Sequence, residues 1–214
     1  MATSPGIDRG IYLASRSPRR RELLGHIGVK FHLLLFRNRP GAAPDVNEDP
    51  LPDEEPRDYV MRVAHAKAAA GWQRMLERNL PRAPVLAADT TVALGKRIFG
   101  KPAGRRDAEA MLAELSGKRH EVLTAVVLQY DDQVDTALSV SEVQFRELTP
   151  QEIQHYVATG EPDDKAGAYA IQGRAALFVA EIRGSQSGIV GLPLYETAQL
   201  LQRMGASRER RGAR

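Results

Sequence analysis

Apolar and polar positions along the chain follow two periods, one typical of strands and one of helices. Continuous or alternating apolar runs predict strands at 11–14, 85–88, 121–130 and 134–148. Apolar residues at helical spacing predict helices over about 57–76 and 107–116. Because strands and helices mix without strict βαβ repetition, the pattern predicts an α/β fold, a mixed sheet with flanking helices.

The C-terminal third has shorter and more polar segments. Its pattern predicts a loop with a short strand over 163–173, a strand over 175–182 and a polar loop over 184–191. Leu192-Pro193 then opens a last helix that ends near Met204. The polar start, 1–9, and the basic segment 206–214 lack apolar periodicity, so we expect both to be disordered and the block 10–205 to form a single domain.

Composition and charge exclude several classes of protein. The chain has 214 residues, 43% hydrophobic and 27% charged, which is usual for a folded globular protein, and it has no cysteine for a disulfide framework or a thiolate metal site. The segment 206–214, with four arginines and one glutamate, accounts for the whole net charge of +3, so a basic nucleic-acid face is not implied. The start is polar and the apolar runs are short. We expect a cytoplasmic protein that binds neither nucleic acid nor a membrane.

The start of the first predicted helix is a candidate anion site. Ser17 before Pro18 predicts the N-cap, and Ser15, Arg19 and Arg20 surround it. A helix N-terminus offers free amides and the positive end of a dipole, and serine and arginine donors match phosphate oxygens. The alternative is a solvated helix start whose arginines pair with acidic residues of a loop.

Asp89 and Lys67 are charged residues in apolar surroundings. Asp89 follows the apolar run 85–88, and an unpaired buried carboxylate costs several kcal/mol, so a cation, a metal or a strong donor should accompany it. A strand-end or turn aspartate is the alternative. Lys67 lies four residues after Val63 on the apolar face of the helix 57–76, where it either enters a site or extends to water.

Three further charged residues lie in predicted loops. Lys101 and Lys165 occupy glycine-containing loops, and together with the arginines of the first helix they would form a basic cleft suited to a polyphosphate. Glu48, in an acidic loop, is a possible metal ligand or a solvated charge. The segment 184–188 has glutamine where the serine of a hydrolase elbow must stand, so serine hydrolysis is excluded.

Eight short segments, spread over about residues 10–204, carry a resemblance to a known family: 13–20, 88–90, 100–102, 115–117, 120–122, 156–158, 164–173 and 190–193. Taken together and in this order, they resemble the Maf family of nucleoside triphosphate pyrophosphatases. The resemblance implies a two-lobed α/β fold around a central cleft, similar to the inosine triphosphate pyrophosphatase architecture. It also implies a divalent cation (Mg²⁺ or Mn²⁺), a homodimer, and attack of water on the α-phosphorus with release of pyrophosphate.

The resemblance also implies roles for individual residues. Asp89 matches the proton acceptor and, with Glu48, the metal contact. Positions that set base specificity are matched by Arg19, Thr90 and Gln172. Polar positions that hold phosphates are matched by Ser15, Ser17, Arg20, Lys67, Lys101 and Lys165. At two positions the chain departs from the family pattern, with Asn47 where an acid is frequent and Gly188 where many relatives carry asparagine.

Gln172 favours one subgroup of that family. It resembles the relatives that act on dTTP and UTP, so we expect hydrolysis of these nucleotides, and of modified pyrimidine nucleotides, to the monophosphate and pyrophosphate. Three alternatives stay open at this point. They are a 7-methylguanosine triphosphate pyrophosphatase, a nucleotide-binding regulator of cell division, and a structural α/β module without catalysis.

Overall fold

A computed structural model describes residues 10–35 and 46–212, with side chains described as far as residue 205. The predicted disordered start, 1–9, lies outside the described residues, as does 36–45 in the acidic loop. Seven strands in the described part form one sheet: β1 (Ile11–Leu13), β2 (Phe31–Leu33), β3 (Val85–Leu94), β4 (Arg97–Phe99), β5 (Arg119–Tyr130), β6 (Gln133–Phe145) and β7 (Val179–Arg183). The helices are α1 (Pro18–His26), α2 (Pro56–Glu77), α3 (Arg105–Leu115), α4 (Pro150–Val157), α5 (Gln186–Val190) and α6 (Leu194–Gly212).

The sheet is mixed, as the sequence predicts. Its order is β2-β1-β3-β5-β6-β7, with β4 paired to β3. Strand β1 runs parallel to β2 and to β3, whereas the other pairs are antiparallel. The prediction of an α/β fold with a mixed sheet and flanking helices is therefore confirmed.

The central pair, β3 and β5, is packed on both faces. Helix α2 covers one face, where Ala87 and Ala125 belong to a cluster with Val63. On the opposite face one cluster contains residues of α1 and α6, and another contains residues of α3 and α4. Because successive side chains of a strand point to opposite faces, β3 contributes to clusters on both sides of the sheet. The candidate residues near the middle of β3 thus lie where these clusters meet.

The predicted end of the strand 85–88, just before Asp89, is wrong. Strand β3 does not end before Asp89 but continues to Leu94, because each residue from Val85 to Ala93 is registered against a residue of β5. The ladder supplies backbone hydrogen bonds that the sequence pattern does not reveal. Asp89 therefore lies in the middle of a central strand rather than at a turn.

The C-terminal third differs most from the prediction. Segment 163–173 contains no strand but a short 3-10 turn at Ala166–Ala168, and 184–191 contains α5 instead of a loop. A 3-10 helix over Arg174–Phe178 precedes β7, so the strand predicted over 175–182 is shorter and later. Ser185 caps α5 by accepting a hydrogen bond from the amide of Gly188 at 3.0 Å.

The last helix is longer than predicted. It begins at Leu194 and continues to Gly212, past the predicted end near Met204 and through most of the segment predicted as a disordered tail. Alanine, arginine and glutamate are strong helix formers, and cations at a helix C-terminus complement the dipole. These propensities outweigh the missing apolar periodicity. No helix in the described ranges combines the length and the apolar character that crossing a bilayer requires.

Candidate active site

A cavity of about 750 Å³ opens beside the middle of β3. Its wall is built by the start of α1, the loop before α2, α2 itself, β3, and the loops after β4 and α4. All the side chains selected from the sequence lie on this wall: Ser15, Ser17, Arg19, Arg20, Glu48, Lys67, Asp89, Thr90, Lys101, Lys165 and Gln172. The fold therefore brings together residues that are far apart in the chain.

The start of α1 forms one side of the cavity. Ser17 is the N-cap, as predicted, and its hydroxyl accepts a hydrogen bond from the amide of Arg20 at 3.5 Å. The buried Ser15 hydroxyl accepts from the amide of Ser17 at 3.2 Å. The helix continues to His26. Its positive end faces a cavity that an anion could enter.

Three hydrogen bonds hold the Arg20 side chain in the cavity. Its Nε donates to the carbonyl of Gly191 at 2.7 Å, its Nη1 to Ser15 Oγ at 3.2 Å and its Nη2 to Thr90 Oγ1 at 3.1 Å. Desolvation lowers the pKa of Arg20, and the Asp89 carboxylate opposes that shift. A guanidinium stays charged in proteins, so Arg20 presents a fixed positive charge to the cavity.

Lys67 and Asp89 form a close ion pair on the α2 side of the cavity. Lys67 Nζ lies 2.7 Å from Asp89 Oδ1 and 3.0 Å from Glu48 Oε2. The side chains of Lys67 and Asp89 are only 14% and 9% exposed, so Lys67 does not extend to bulk water. The pair decides between the alternatives for both residues. Lys67 enters the site, and the buried Asp89 carboxylate has the cation that its burial requires.

The loop that carries Glu48 is tied to α2 by two residues that the sequence did not single out. Tyr59 donates its hydroxyl to the backbone carbonyl of Glu48 at 2.9 Å. Arg62 pairs with Glu54 at 2.6 Å and reaches the carbonyl of Asp49 at 3.0 Å. The hydrogen bond from Arg62 holds the pKa of Glu54 below its usual value. The Glu48 side chain itself is about half exposed.

Two loops close the opposite rim of the cavity. The amide of Gly167 donates to the carbonyl of Gly100 at 3.1 Å, which holds the loop of Lys165 against the loop of Lys101. Gly167 has a φ of 67°, and a Cβ there would lie 2.9 Å from Val92 Cγ2, so glycine is needed at this position. Lys101 is exposed at the rim.

Asp164 is a rim residue whose pairing the sequence did not predict. It pairs with Lys165 and lies 3.9 Å from Arg19. Burial raises the pKa of Asp164, but the hydrogen bond and charge of Lys165 and the charge of Arg19 outweigh burial and lower it. The alternative of an arginine paired with a loop acid is thus realised for Arg19, but Arg20 has three other partners. Gln172 is exposed at the same rim.

Glu48 and Asp89 have the donor atoms that a divalent cation needs. Both carboxylates converge on the single ammonium of Lys67, so they already share the neighbourhood of one cation. The described part of the chain has no cluster of three or more His, Cys, Asp or Glu residues able to hold a metal. Mg²⁺ is usually held by one or two carboxylates together with substrate phosphates. The two carboxylates therefore fit a cation that the substrate helps to hold.

The comparisons with known proteins point to one family. A relative from Nitrosomonas europaea, named dTTP/UTP pyrophosphatase, is 56% identical over 92% of this chain and 95% of its own. Another with the same name, from Aromatoleum aromaticum, is 58% identical over 93% and 97%. The Staphylococcus aureus Ham1 structure shares 12% identity over 77% of this chain and 88% of its own, with a TM-score of 0.40, too low to support an inference. The family model described as Maf-like protein matches residues 10–204, and the chain belongs to the Maf family.

Proposed function

We propose that the chain is a nucleoside triphosphate pyrophosphatase that hydrolyses dTTP and UTP to the monophosphate and pyrophosphate. The observation that carries the proposal is the buried Asp89 carboxylate, paired with Lys67 inside a cavity whose other walls present arginine and lysine. The names of the relatives at more than 50% identity supply the substrate class.

The basic walls would place the triphosphate. The start of α1, with Arg20 fixed by three hydrogen bonds, offers amides, hydroxyls and charge to phosphate oxygens. Lys101 and Lys165 approach the same space from the opposite rim. Phosphoryl transfer depends mainly on positioning and charge neutralisation, which this arrangement supplies.

Asp89 would then accept the proton of the attacking water. A bond forms between the water oxygen and the α-phosphorus, the bond between the α-phosphorus and its bridging oxygen breaks, and pyrophosphate leaves with that oxygen. Lys67 lies 2.7 Å from Asp89 Oδ1 and compensates its charge before the proton is transferred.

Glu48 and Asp89 are the residues that would hold a divalent cation, Mg²⁺ or Mn²⁺. Such a cation supplies neutralisation of the charge that develops on the triphosphate. Lys67, which lies within 3.0 Å of both carboxylates, would keep them together when no cation is bound.

Gln172 is proposed to select the base. Its amide offers one acceptor and two donors, which match the N3–H and O4 edge of uracil and thymine. A site built around such a pair rejects bases with another pattern, because polar groups would be left unpaired. Gln172 lies on the cavity wall, where a base could reach it.

A nucleotide panel tests this function directly. Pyrophosphate release should be fast with dTTP and UTP and slow with ATP and GTP. Gln172→Glu should reduce the preference, whereas the control Gln151→Glu, on the exposed start of α4, should keep it. If 7-methyl-GTP were by far the best substrate, the choice of subgroup would be wrong and the enzyme class would stand. Release from no nucleotide would refute the enzyme class.

Three further properties stay predictions: a homodimer, a cytoplasmic location, and the absence of nucleic-acid binding. Light scattering on the purified chain tests the first, and fractionation of the source cell tests the second. Titration with duplex and single-stranded DNA at low salt tests the third, because phosphate contacts are strongest there.

A further inference from the structure

The face of the sheet opposite α2 is called the second face below. A row of polar residues crosses this face between its two apolar clusters. Thr90 of β3 lies opposite Thr124 of β5, which lies opposite Ser139 of β6. On one side of the row β3 contributes Ala88 to the cluster with α1 and α6, and on the other side it contributes Val92 to the cluster with α3 and α4. All three polar residues stand where an apolar side chain would continue the pattern. The row, Thr90, Thr124 and Ser139, is called the polar rung below.

The hydrogen bonds of the polar rung have a fixed direction. Thr124 Oγ1 donates to the carbonyl of Gly188 at 2.8 Å, and a carbonyl can only accept. A hydroxyl has one hydrogen, so the 2.9 Å contact between the two threonine hydroxyls requires Thr90 to donate to Thr124. Thr90 Oγ1 then accepts from Arg20 Nη2 at 3.1 Å. The bonds run in one order, from Arg20 through Thr90 and Thr124 to Gly188.

We infer that Thr124 is a positioning residue that fixes the phosphate-binding guanidinium of Arg20 through Thr90. The inference rests on the proposed function, in which Arg20 holds phosphate oxygens. Thr124 is fully buried and does not line the cavity, so it acts only through its neighbours. The single Thr90 hydrogen is used by Thr124, so Thr90 serves Arg20 as an acceptor and has no hydrogen left for a nucleobase.

The end of the chain of bonds depends on the absence of a side chain at Gly188. A Cβ there would lie 2.8 Å from Ser139 Oγ, inside the closest approach that real Cβ atoms show. Gly188 belongs to α5, which is followed by its C-cap Gly191, and the carbonyl of Gly191 accepts from Arg20 Nε at 2.7 Å. The close packing of α5 on the polar rung therefore aligns two acceptors, one that orients Thr124 and one that binds Arg20 directly.

Thr124→Val tests the inference, because valine keeps the shape of threonine and removes the hydroxyl. We expect kcat for dTTP to fall by on the order of 10²-fold with a smaller change in KM, since a displaced cation costs most in the transition state. Thr124→Ser, which restores the hydroxyl, should recover most of the turnover. The control is Thr136→Val on β6, whose hydroxyl lies 3.1 Å from His65 Nε2 at the surface, and it should keep full activity.

A second measurement separates this inference from the proposed function. The Arg20 Nε–H should exchange slowly with water in the wild type, and on the order of tenfold faster in Thr124→Val, as followed by ¹⁵N NMR. Wild-type exchange in Thr124→Val overturns the inference, whether or not turnover falls. Equal losses in the valine and serine variants also overturn it, because the hydroxyl would then not be the cause. If the wild type hydrolyses no nucleotide, the proposed function fails while the exchange rates still decide the role of Thr124.

Discussion

Asp89 and Thr90 are consecutive residues of β3, but they lie on opposite faces of the sheet and are held in different ways. Asp89 faces α2 and is held by charge, with the ammonium of Lys67 at 2.7 Å. Thr90 faces the other side and is held by hydrogen bonds of fixed direction, from Arg20 at 3.1 Å and to Thr124 at 2.9 Å.

The difference shows how one strand can serve two parts of a reaction. An ion pair is weakly directional and depends on charge, so the α2 face tolerates small movements but no change of charge. A chain of hydroxyls depends on geometry and on the count of donors and acceptors, so the other face tolerates no loss of a hydrogen-bonding atom. In the proposed reaction the first face moves a proton and the second fixes a phosphate.

Chelation should have the largest effect and should act on the α2 face alone. EDTA in excess should abolish dTTP turnover, and added Mg²⁺ or Mn²⁺ should restore it, because the basic side chains neutralise the triphosphate incompletely. The melting temperature should stay unchanged in EDTA, since Lys67 still compensates Glu48 and Asp89. Full activity in excess chelator would rule out the cation.

Asp89→Asn should have the next largest effect. The variant keeps the shape of the side chain and removes the base and its charge, so kcat should fall by roughly 10²–10⁴-fold. Circular dichroism should show an intact fold. Asp58→Asn, an exposed change in the first turn of α2, serves as the control and should keep its turnover. Near-normal turnover of Asp89→Asn would remove this residue from the mechanism.

His120 should make the stability of the second face depend on pH. Burial lowers its pKa from 6.5 to about 4, and its Nε2 lies 2.9 Å from the Tyr169 hydroxyl. Between pH 4 and pH 6.5 the His120 ring is protonated in the unfolded chain but neutral in the folded chain. The contribution of neutral His120 to the free energy of unfolding is therefore complete above pH 6.5 and is lost as the pH falls toward 4. Urea unfolding should show about 2 kcal/mol less stability at pH 5 than at pH 7 from this residue.

The comparison with His120→Gln isolates that contribution. The stability of this variant should change less between pH 7 and pH 5 than that of the wild type, whatever its absolute stability. His155→Gln, at an exposed position of α4, should keep the wild-type dependence. An unchanged pH dependence in His120→Gln would contradict the assignment.

Gly188→Ala should have the smallest effect, confined to the face of the polar rung. The added Cβ must displace Ser139 Oγ, which should lower the free energy of unfolding by about 1 kcal/mol. Gly25→Ala is the matched control, because nothing lies within 4 Å of its Cβ, and it should raise stability by about 0.5–1 kcal/mol. Adding Ser139→Ala to Gly188→Ala should recover part of the loss, as measured by thermal melting. A variant as stable as the wild type would show that the contact is not tight.

Local signals allowed the start of α1 and the placement of Lys67 to be predicted from the sequence. Ser17 before Pro18 is an N-cap in the structure, as the sequence predicts. Lys67 was placed on the apolar face of its helix from its spacing to Val63, and the structure has it there, beside Asp89. These signals work because each depends on neighbours within about one turn of helix.

The role of Thr124 and the helix α5 could not be predicted, since they depend on strand register and on contacts across the chain. Thr124 carries no local mark of function, and its position opposite Thr90 follows from pairing between β3 and β5. Segment 184–191 predicts a loop because it is rich in glycine and serine, and the helix α5 inside it has only five residues. Its stability comes from the Ser185 cap and from packing on the sheet, which overrides weak helix propensity.

The two central strands have a consequence for how the protein unfolds. Strands β3 and β5 contribute to all three apolar clusters, so neither strand can leave one cluster without loosening the others. Segments that share such strands open together and not one at a time. Asp89, Thr90 and Thr124 belong to these two strands. We therefore expect that local opening does not expose them while the rest of the domain stays folded. The part of the cavity wall that β3 forms should then be lost only when the domain unfolds globally.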